Sequence, residues 1–399
     1  MKSLNPSQNG NSSQYYRFPP ELLDQPAQVR LDYFKKPDIT VMHHNLITAY
    51  NQAHRAIREP AGASILMVIG PSGVGKSTLL RLLIKKILEE SLEQMTKAVS
   101  WLPIVSVNAP APGRGTFRWK NLYLLILTAV DEPGIDQKIN YHNGNIVRGA
   151  DGVLRIAEKV TEDALRLAMI KALTHRKPYV LAVDEFQHIG KMAGPEQLEA
   201  HMDCVKSAVD ASQVPWMGFG TYQLLKFLNL SPQLRRRTKT IHFGRYRLEI
   251  DSELKEFKRV LEHFQHRLAF SQPPPLRQKY WEFCYERSIG NIGTLKDWLT
   301  DAYDLALSEA ASTLTLDHLI ATAKPASDCE RMAIEAIDGE EALTDSRAKQ
   351  NQLRLLLGLT QAKSQQQPSP PQVATDIPLP TKQVSKKFKR NPKRDPIKK

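Results

Sequence analysis

The sequence has few cysteines and no long apolar run. Its 399 residues include Cys204, Cys284 and Cys329, which are far apart and form no CxxC pair. Neither a structural zinc site nor a disulfide framework is supported, and a reducing compartment is expected. No apolar run is long enough to span a bilayer, and the first residues are polar and lack the apolar core of a signal peptide. We therefore expect a cytoplasmic protein with no membrane partner.

Positive charge is plentiful but unevenly distributed. The formal net charge is +13, and residues 361–399 contain ten Lys or Arg and only two Asp. A strongly basic chain favours an acidic partner, nucleic acid first, whereas charge confined to a tail says little about the body. About +5 remains outside the tail. Any DNA-binding surface on the body must therefore be local.

The order of apolar segments predicts an α/β protein with a second, helical part. Strand patterns alternate with helix patterns up to about residue 249, which favours a parallel sheet flanked by helices. Three helix patterns follow, and the last 39 residues have a composition typical of disorder. The predicted parts are an N-terminal arm (1–40), an α/β domain (41–249), a helical lid domain (250–325), a C-terminal helical extension (326–360) and a disordered basic tail (361–399). Within the α/β domain we predict a loop over 131–151 and a long helix over 153–172.

The strongest local signal is a glycine-rich turn between an apolar strand and a helix. The strand ILMVI at 65–69 leads into GPSGVGKST, which fits the phosphate-binding pattern G-x-x-x-x-G-K-[ST]. Backbone N–H groups of such a turn surround a phosphate, Lys76 reaches the β- and γ-phosphates, and Ser77 is the expected Mg²⁺ ligand. A chance match is the alternative, and the flanking strand and helix argue against it. The predicted nucleotide-binding residues of the turn are Gly70, Pro71, Ser72, Gly73, Val74, Gly75, Lys76, Ser77 and Thr78.

A second apolar strand, in YVLAVDEFQHI, ends in two adjacent acids. Asp184 is placed to hold Mg²⁺, and Glu185 to polarise the attacking water. The alternative is a strand end with two solvated carboxylates. Phosphoryl transfer needs both a phosphate cradle and such acids, so the two motifs together predict an ATPase that uses ATP and Mg²⁺.

Three weaker signals complete the predicted catalytic set. Thr221 ends the strand WMGFGT and is placed to contact the γ-phosphate, although threonine at a strand end is common. Three arginines precede the last strand, where one could reach the nucleotide of a neighbouring subunit; a solvated basic face is the alternative. These are Arg235, Arg236 and Arg237, and the sequence does not say which one acts. Lys296, in GNIGTLKDWL, could contact the nucleotide from the lid, or could simply be solvated.

One insertion is the best candidate for a DNA contact on the body. PGRGTFRWKN places Arg114, Arg118 and Lys120 among two aromatic residues. Cations on a loop contact phosphates without selecting a sequence. The aromatic residues, Phe117 and Trp119, could instead anchor the loop to the body. The basic tail could add nonspecific attraction to DNA, dock a protein partner, or be merely solvated.

Taken together, these motifs resemble those of the AAA+ ATPases. GPSGVGKS, VDE, GT, the arginines before the last strand and GNIGTLKDWL occur in the family's order. The lead-in HHNLITAYNQAHRAIREPAGASILMVIGPSGVGKST and the lid motif GNIGTL are similar to the TniB/TnsC branch, which regulates DNA transposition. The resemblance covers roughly residues 35–325.

The resemblance implies a fold, a mechanism and partners. Such proteins bind ATP, form rings or helical filaments on double-stranded DNA, link a target-selection protein to a transposase and are released on hydrolysis. In CRISPR-associated transposons the selector is of TniQ type. Lys76 and Ser77 then correspond to the phosphate and Mg²⁺ contacts, and Asp184 and Glu185 to the Mg²⁺ and catalytic acids. Thr221 and Lys296 correspond to the two sensor positions, the second of which carries a lysine here instead of an arginine.

Two other functions share the same ATPase core. A replication loader or initiator would need a helicase partner and a dedicated DNA-binding domain, and none is recognisable after residue 323. A signalling or defence NTPase would switch a protein partner without contacting DNA. Loss of DNA binding when the charges of Arg114, Arg118 and Lys120 are removed would distinguish these functions.

Overall fold

The computed structural model describes residues 18–36, 40–113, 115–130, 146–148, 154–156 and 160–359, with backbone only for the two three-residue segments. These residues belong to two units, Met1–Thr344 and Asp345–Lys399. The predicted disordered tail at 361–399 lies outside the described residues.

A five-stranded sheet, parallel throughout, forms the centre of the first unit. In chain order the strands are β1 (Ile65–Ile69), β2 (Ile104–Asn108), β3 (Ile146–Arg148), β4 (Leu154–Ile156), β5 (Val180–Asp184), β6 (Trp216–Gly220) and β7 (Thr238–His242). The order across the sheet is β2-β5-β6-β1-β7, and β3 and β4 form a separate antiparallel pair. Because β1 lies between β6 and β7, a crevice is expected beyond its carboxyl end.

Helices cover both faces of the sheet and account for most of the other regular secondary structure of the described residues. In chain order they are α1 (Ala27–Lys35), α2 (His44–Arg58), α3 (Lys76–Lys97), α4 (Trp119–Ala129), α5 (Glu162–Arg176), α6 (Pro195–Ser212), α7 (Leu225–Leu228), α8 (Pro232–Arg237), α9 (Asp251–Gln265), α10 (Trp281–Ser288), α11 (Ile292–Ser308), α12 (Leu316–Thr322), α13 (Ala326–Leu343) and α14 (Arg347–Leu356). Short 3₁₀ turns occupy Pro20–Asp24, Phe186–Gly190 and Tyr222–Leu224. None of the described helices combines the length and apolar character that a membrane span needs.

The two faces of the sheet carry separate apolar clusters. Alternate residues of β1 point to opposite sides, so Met67 packs in one cluster with α4, α5 and α6, and Val68 packs in another with α2 and α3. All five residues of β1 are buried, as expected for a central parallel strand covered on both faces. The predicted fold class, a parallel sheet flanked by helices with a helical lid, is therefore confirmed.

A third apolar cluster forms the lid, and it includes a helix from the chain's N-terminal segment. Phe34 of α1 is fully buried, with its ring 5.7 Å from that of Tyr303 and 6.1 Å from that of Phe264. Loss of such a ring costs about 3–5 kcal/mol. Residues 27–35 are therefore a helix integrated into the lid, and the prediction of an extended arm is wrong for this segment.

The predicted helix over 153–172 is also wrong at its start. Leu154–Ile156 is a strand, and the helix begins at Glu162. Thr161 is the N-cap, and its side chain accepts a hydrogen bond from the backbone N–H of Ala164 at 3.3 Å. A threonine followed by two acids is a favourable helix start because both the cap and the negative charge satisfy the first N–H groups. The predicted loop over 131–151 likewise contains β3.

Candidate nucleotide-binding site

The glycine-rich turn has the backbone conformation that its sequence requires. Gly73 and Gly75 have φ of 76° and 112°, in the region that favours glycine, and α3 begins immediately afterwards at Lys76. The Lys76 ammonium is buried and donates to the carbonyl oxygens of Gly70 at 3.0 Å and Pro71 at 2.8 Å. The lysine is thus held across the turn.

The burial of Lys76 shifts the pKa of its ammonium group. Burial lowers the pKa of Lys76 to about 8, although nearby Glu185 and Asp184 act in the opposite direction. A phosphate would supply further negative charge and so favour the ammonium. An anion at this turn is therefore electrostatically matched to the lysine.

The two sequence motifs meet at the carboxyl edge of the sheet. Ser77, at the start of α3, donates from its hydroxyl to Asp184 Oδ2 at 2.8 Å. The other oxygen of Asp184 accepts from the backbone N–H of Glu185 at 2.9 Å. Glu185 has φ of 53° and ψ of 35°, a left-handed conformation that is uncommon for a residue with a side chain. These contacts bring together residues that are more than a hundred positions apart.

The donor set at Ser77 and Asp184 suits a hard divalent cation. Mg²⁺ prefers oxygen ligands, and it commonly takes one or two from protein and the rest from phosphates and water. Among the described residues there is no cluster of three or more His, Cys, Asp or Glu that could hold an ion alone. One hydroxyl and one carboxylate beside a phosphate-binding turn therefore fit Mg²⁺ that is bound together with a nucleotide.

The lid contacts the glycine-rich turn directly. The side-chain amide of Asn291 donates to the carbonyl of Ser72 at 3.2 Å, and the backbone N–H of Thr294 donates to the carbonyl of Gly73 at 3.0 Å. A Cβ at position 73 would overlap Thr294 Oγ1, and one at position 293 would overlap Gly73 O. The absence of side chains at these two positions permits the close approach of lid and turn.

A cleft of about 620 Å³ lies between the turn and the lid. Thr221 and Lys296, the two predicted sensor residues, both line it. Burial lowers the pKa of the half-buried Lys296, and neighbouring Arg81 acts in the same direction. The cleft is also lined by Lys76, Ser77, Glu185, Gln187, Lys35 and Asp297. Cations from three parts of the chain thus face the same volume.

A smaller apolar hollow of about 60 Å³ adjoins this cleft. Val74, Phe243 and Ile292 line it together with His43. The His43 Nδ1 accepts the N-cap hydrogen bond of α2 from the Leu46 N–H at 3.4 Å and lies 3.0 Å from the Tyr246 hydroxyl. Burial lowers the pKa of His43 to about 3, so the ring is neutral at physiological pH. A largely apolar hollow, at whose edge Arg81 and Lys296 also lie, therefore adjoins the cleft with the charged side chains.

The three arginines at 235–237 lie at the opposite, amino edge of the sheet, and their contacts differ. Arg235 donates to Asn229 Oδ1 at 2.6 Å, and Nη1 of Arg237 donates to both carboxylate oxygens of Asp210 at 2.8 Å. Arg236 is exposed, and within the described chain it has no hydrogen bond or ion pair. It lines a cleft of about 790 Å³ at this edge.

The candidate DNA-contacting residues are only partly described. Arg114 lies outside the described residues, and Arg118 is exposed. Lys120 is partly buried and donates to the carbonyl of Val160 at 2.7 Å. Phe117 and Trp119 are buried, with their rings 5.4 Å apart, so the aromatic residues anchor this segment to the body.

Sequence analysis overlooked several residues of the site. Lys35 was assigned to an arm, and no local motif marks its helix as part of the lid. Gln187 lies in the same quoted segment as Asp184, but its position two residues after Glu185 carries no established pattern. Asn291 lies within GNIGTL, and its location before a helix was an available signal for a structural contact.

A family model described as an AAA domain matches residues 58–228, less than half of the chain. No curated protein sequence matches at a significant level. Among solved structures, the ORC2 protein of Aeropyrum pernix with ADPNP and ADP is similar, with a TM-score of 0.44 and 16% identity. The match covers 68% of this chain and 66% of the ORC2 chain, so this chain spans slightly less than two thirds of the length of ORC2.

Two further structures are similar at comparable levels. Drosophila ORC bound to DNA has a TM-score of 0.42 and 14% identity, over 81% of this chain and 69% of that one. The RuvB Holliday junction branch migration motor of Thermotoga maritima has a TM-score of 0.36 and 16% identity, over 70% of this chain and 67% of that one. The chain is therefore similar to AAA domains over residues 58–228, a stretch that contains the glycine-rich turn and four of the five strands of the parallel sheet.

Proposed function

We propose that this protein is an ATP-hydrolysing AAA+ regulator of DNA transposition that assembles on double-stranded DNA. The observation that carries the ATPase part is the hydrogen bond from Ser77 to Asp184, at 2.8 Å, beside Glu185 and within the cleft that Lys76 lines. Lys76, Ser77 and Glu185 line this cleft and Asp184 is hydrogen-bonded to Ser77, which supports phosphate binding, metal binding and general-base catalysis at one place.

Hydrolysis follows from these groups. The phosphates of ATP lie along the turn, where Lys76 exchanges its carbonyl partners for phosphate oxygens. Ser77 and Asp184 would hold Mg²⁺, and the ion would neutralise charge on the phosphates. Glu185 accepts a proton from water as the water oxygen bonds to the γ-phosphorus, and the bond to the ADP oxygen breaks. Thr221 and Lys296 orient the γ-phosphate from the sheet and the lid.

In this proposal, subunits assemble through the arginines at the amino edge of the sheet. A guanidinium that has no hydrogen bond or ion pair in the described part of its own subunit is available to the γ-phosphate of a neighbour, and of the three arginines Arg236 best meets this condition. Nucleotide binding and oligomerisation are then one linked equilibrium, because each site is completed only in the assembly. After hydrolysis the arginine loses its ligand, and the assembly loosens into the free subunits.

DNA binding requires little charge on each subunit if many subunits bind together. Of the three cations of this segment, Arg118 is described and exposed to a phosphate, and Lys120 positions the segment through its bond to Val160. Single weak contacts add up along a ring or filament, and the total depends strongly on salt. The mildly basic body is compatible with this arrangement.

The role in transposition rests on the resemblance of the lead-in and lid motifs to the TniB/TnsC proteins. In this role the ATP-bound assembly marks target DNA, a TniQ-type selector recruits it, and a transposase recognises it. Hydrolysis then limits how long the mark persists.

Electron microscopy with a slowly hydrolysed ATP analogue, with and without duplex DNA, tests the proposal first. We expect ordered rings or filaments on DNA only when nucleotide is present, and no assemblies from Lys76→Ala. Monomers that do not bind DNA under any of these conditions would favour the alternative function, an NTPase that switches a protein partner.

A strand-transfer assay then tests the transposition role separately. We expect the protein to stimulate the transposase encoded nearest to it in its genome, in an ATP-dependent manner. DNA assemblies that leave strand transfer unchanged, but load a helicase onto DNA, would instead support a replication function.

A further inference from the structure

The side chain of Gln187 contacts the proposed general base. Gln187 lies in the 3₁₀ turn that follows β5, and its side-chain amide donates a hydrogen bond to Glu185 Oε2. Gln187 is buried, whereas the side chain of Glu185 is 48% exposed. A carboxylate with this exposure can rotate freely unless a fixed neighbour holds it, and Gln187 is such a neighbour.

The neighbouring strand leaves room for the Gln187 side chain. The last residue of β6 is Gly220, and a Cβ at this position would overlap Gln187 Oε1. Gly220 directly precedes Thr221, so the amide lies between the base and the strand end that carries the predicted sensor. Only a residue without a side chain at position 220 allows this placement.

The remaining polar contacts fix the backbone around Glu185 but not its carboxylate. The Glu185 N–H donates to Asp184 Oδ1 at 2.9 Å, and its carbonyl accepts from the His188 N–H at 2.9 Å. His188 Nε2 lies 4.0 Å from Glu185 Oε2, too far for a hydrogen bond, and His188 Nδ1 lies 2.9 Å from the carbonyl oxygen of Ala109. Within the described chain, Gln187 is therefore the side chain that is hydrogen-bonded to the Glu185 carboxylate.

We propose that Gln187 is a positioning residue for ATP hydrolysis, which holds one oxygen of the Glu185 carboxylate so that the other faces the attacking water. This inference rests on the proposed function, because it assumes that Glu185 is the base. Glu185 Oε1 then takes the water proton while the water oxygen bonds to the γ-phosphorus and the ADP oxygen leaves. Small displacements of a catalytic group lower rates strongly.

Gln187→Met tests the inference because it keeps the length of the side chain and removes the donor. We expect kcat for ATP to fall by about 10- to 100-fold, with KM and ADP affinity within about twofold of the original values. Gln197→Met, on the exposed surface of α6, is the matched control and should leave kcat unchanged. Gly220→Ala is a second route, because it displaces the amide without altering Gln187, and should lower kcat in the same direction.

A double mutant separates positioning from a general structural role. If Gln187 acts through Glu185, adding Gln187→Met to Glu185→Gln should not lower the residual single-turnover rate further. A Gln187→Met protein with undiminished kcat would overturn the inference, as would an equal loss in both backgrounds. Normal turnover by Glu185→Gln alone would instead remove Glu185 from its role and so contradict the proposed function.

Discussion

The charged side chains at the two edges of the sheet differ in whether they have hydrogen-bond partners. At the carboxyl edge, Ser77, Asp184, Glu185 and Gln187 are bonded to one another around a cleft. At the amino edge, Arg236 lines a second cleft and is exposed, with no partner in the described part of its own chain. The groups at the carboxyl edge are therefore hydrogen-bonded to one another within the described chain, whereas Arg236 at the amino edge has no such contact there.

The largest effect is expected at the amino edge. Arg236→Ala should lower ATP turnover of the assembled protein by about 10³-fold or more, because an arginine acting on a neighbouring γ-phosphate has effects of this size. Mixing Arg236→Ala with Glu185→Gln should restore part of the turnover, since the second protein supplies Arg236 to sites that retain Glu185. Turnover is measured as phosphate release at fixed total protein.

The other two arginines serve as comparisons. Arg237→Ala removes a half-exposed ion pair with Asp210, which is worth only about 0–1 kcal/mol. A large loss of turnover confined to Arg237→Ala or Arg235→Ala, with Arg236→Ala unaffected, would assign the acting arginine differently. Failure of the mixed proteins to recover activity would show that the two edges do not meet between subunits.

A somewhat smaller effect is expected at the carboxyl edge. Glu185→Gln should slow hydrolysis by about 10²- to 10⁴-fold, because it removes the base and leaves the other contacts in place. ATP binding should persist, and DNA-bound assemblies should accumulate. Lys76→Ala should instead lose nucleotide affinity together with assembly. Nucleotide titration and filter binding of labelled DNA separate the two results, and equal nucleotide affinities in both variants would contradict the assigned roles.

The smallest effect concerns acid stability near the carboxyl edge. The pKa of His43 is about 3 in the folded protein against 6.5 as its ordinary value, and burial is the main cause. The resulting stability is fully present above pH 6.5 and is lost as the pH falls towards 3, at up to about 1.4 kcal/mol per pH unit. His43→Asn keeps an N-cap acceptor and removes the titration.

Urea unfolding at two pH values measures this contribution. Between pH 7.5 and 5, the original protein should lose about 2 kcal/mol more unfolding free energy than His43→Asn. Equal losses would mean that the ring is protonated in the folded state.

The sequence predicted what local patterns determine and missed what depends on distant contacts. Lys76, Ser77, Asp184 and Glu185 were found because a glycine-rich turn and an apolar strand fix their placement within a few residues. Lys35 was missed because its helix joins the lid through Leu31 and Phe34, and the ring partners of Phe34 lie more than 200 positions away. The three arginines looked equivalent in sequence, and the partners that distinguish them, Asn229 and Asp210, become neighbours only in the fold.

The start of α5 is a different case, because its signal was present. Thr161, Glu162 and Asp163 form a favourable first turn, yet the apolar spacing from residue 153 onward extended the predicted helix through a strand. Capping chemistry should therefore take precedence over periodicity where the two disagree.

The bond between Thr294 N–H and the Gly73 carbonyl joins the lid to the phosphate turn through backbone atoms alone. Truncation of a side chain cannot remove such a bond. Alanine scanning of the lid would therefore leave this hydrogen bond in place and would not detect its contribution at position 294. A proline at 294 would remove the N–H donor, and an alanine at 73 or 293 would push the lid and the turn apart, so these substitutions would test the bond. This backbone bond between the lid and the turn is thus insensitive to most single substitutions, whereas the neighbouring contact from the Asn291 side chain to the Ser72 carbonyl is not.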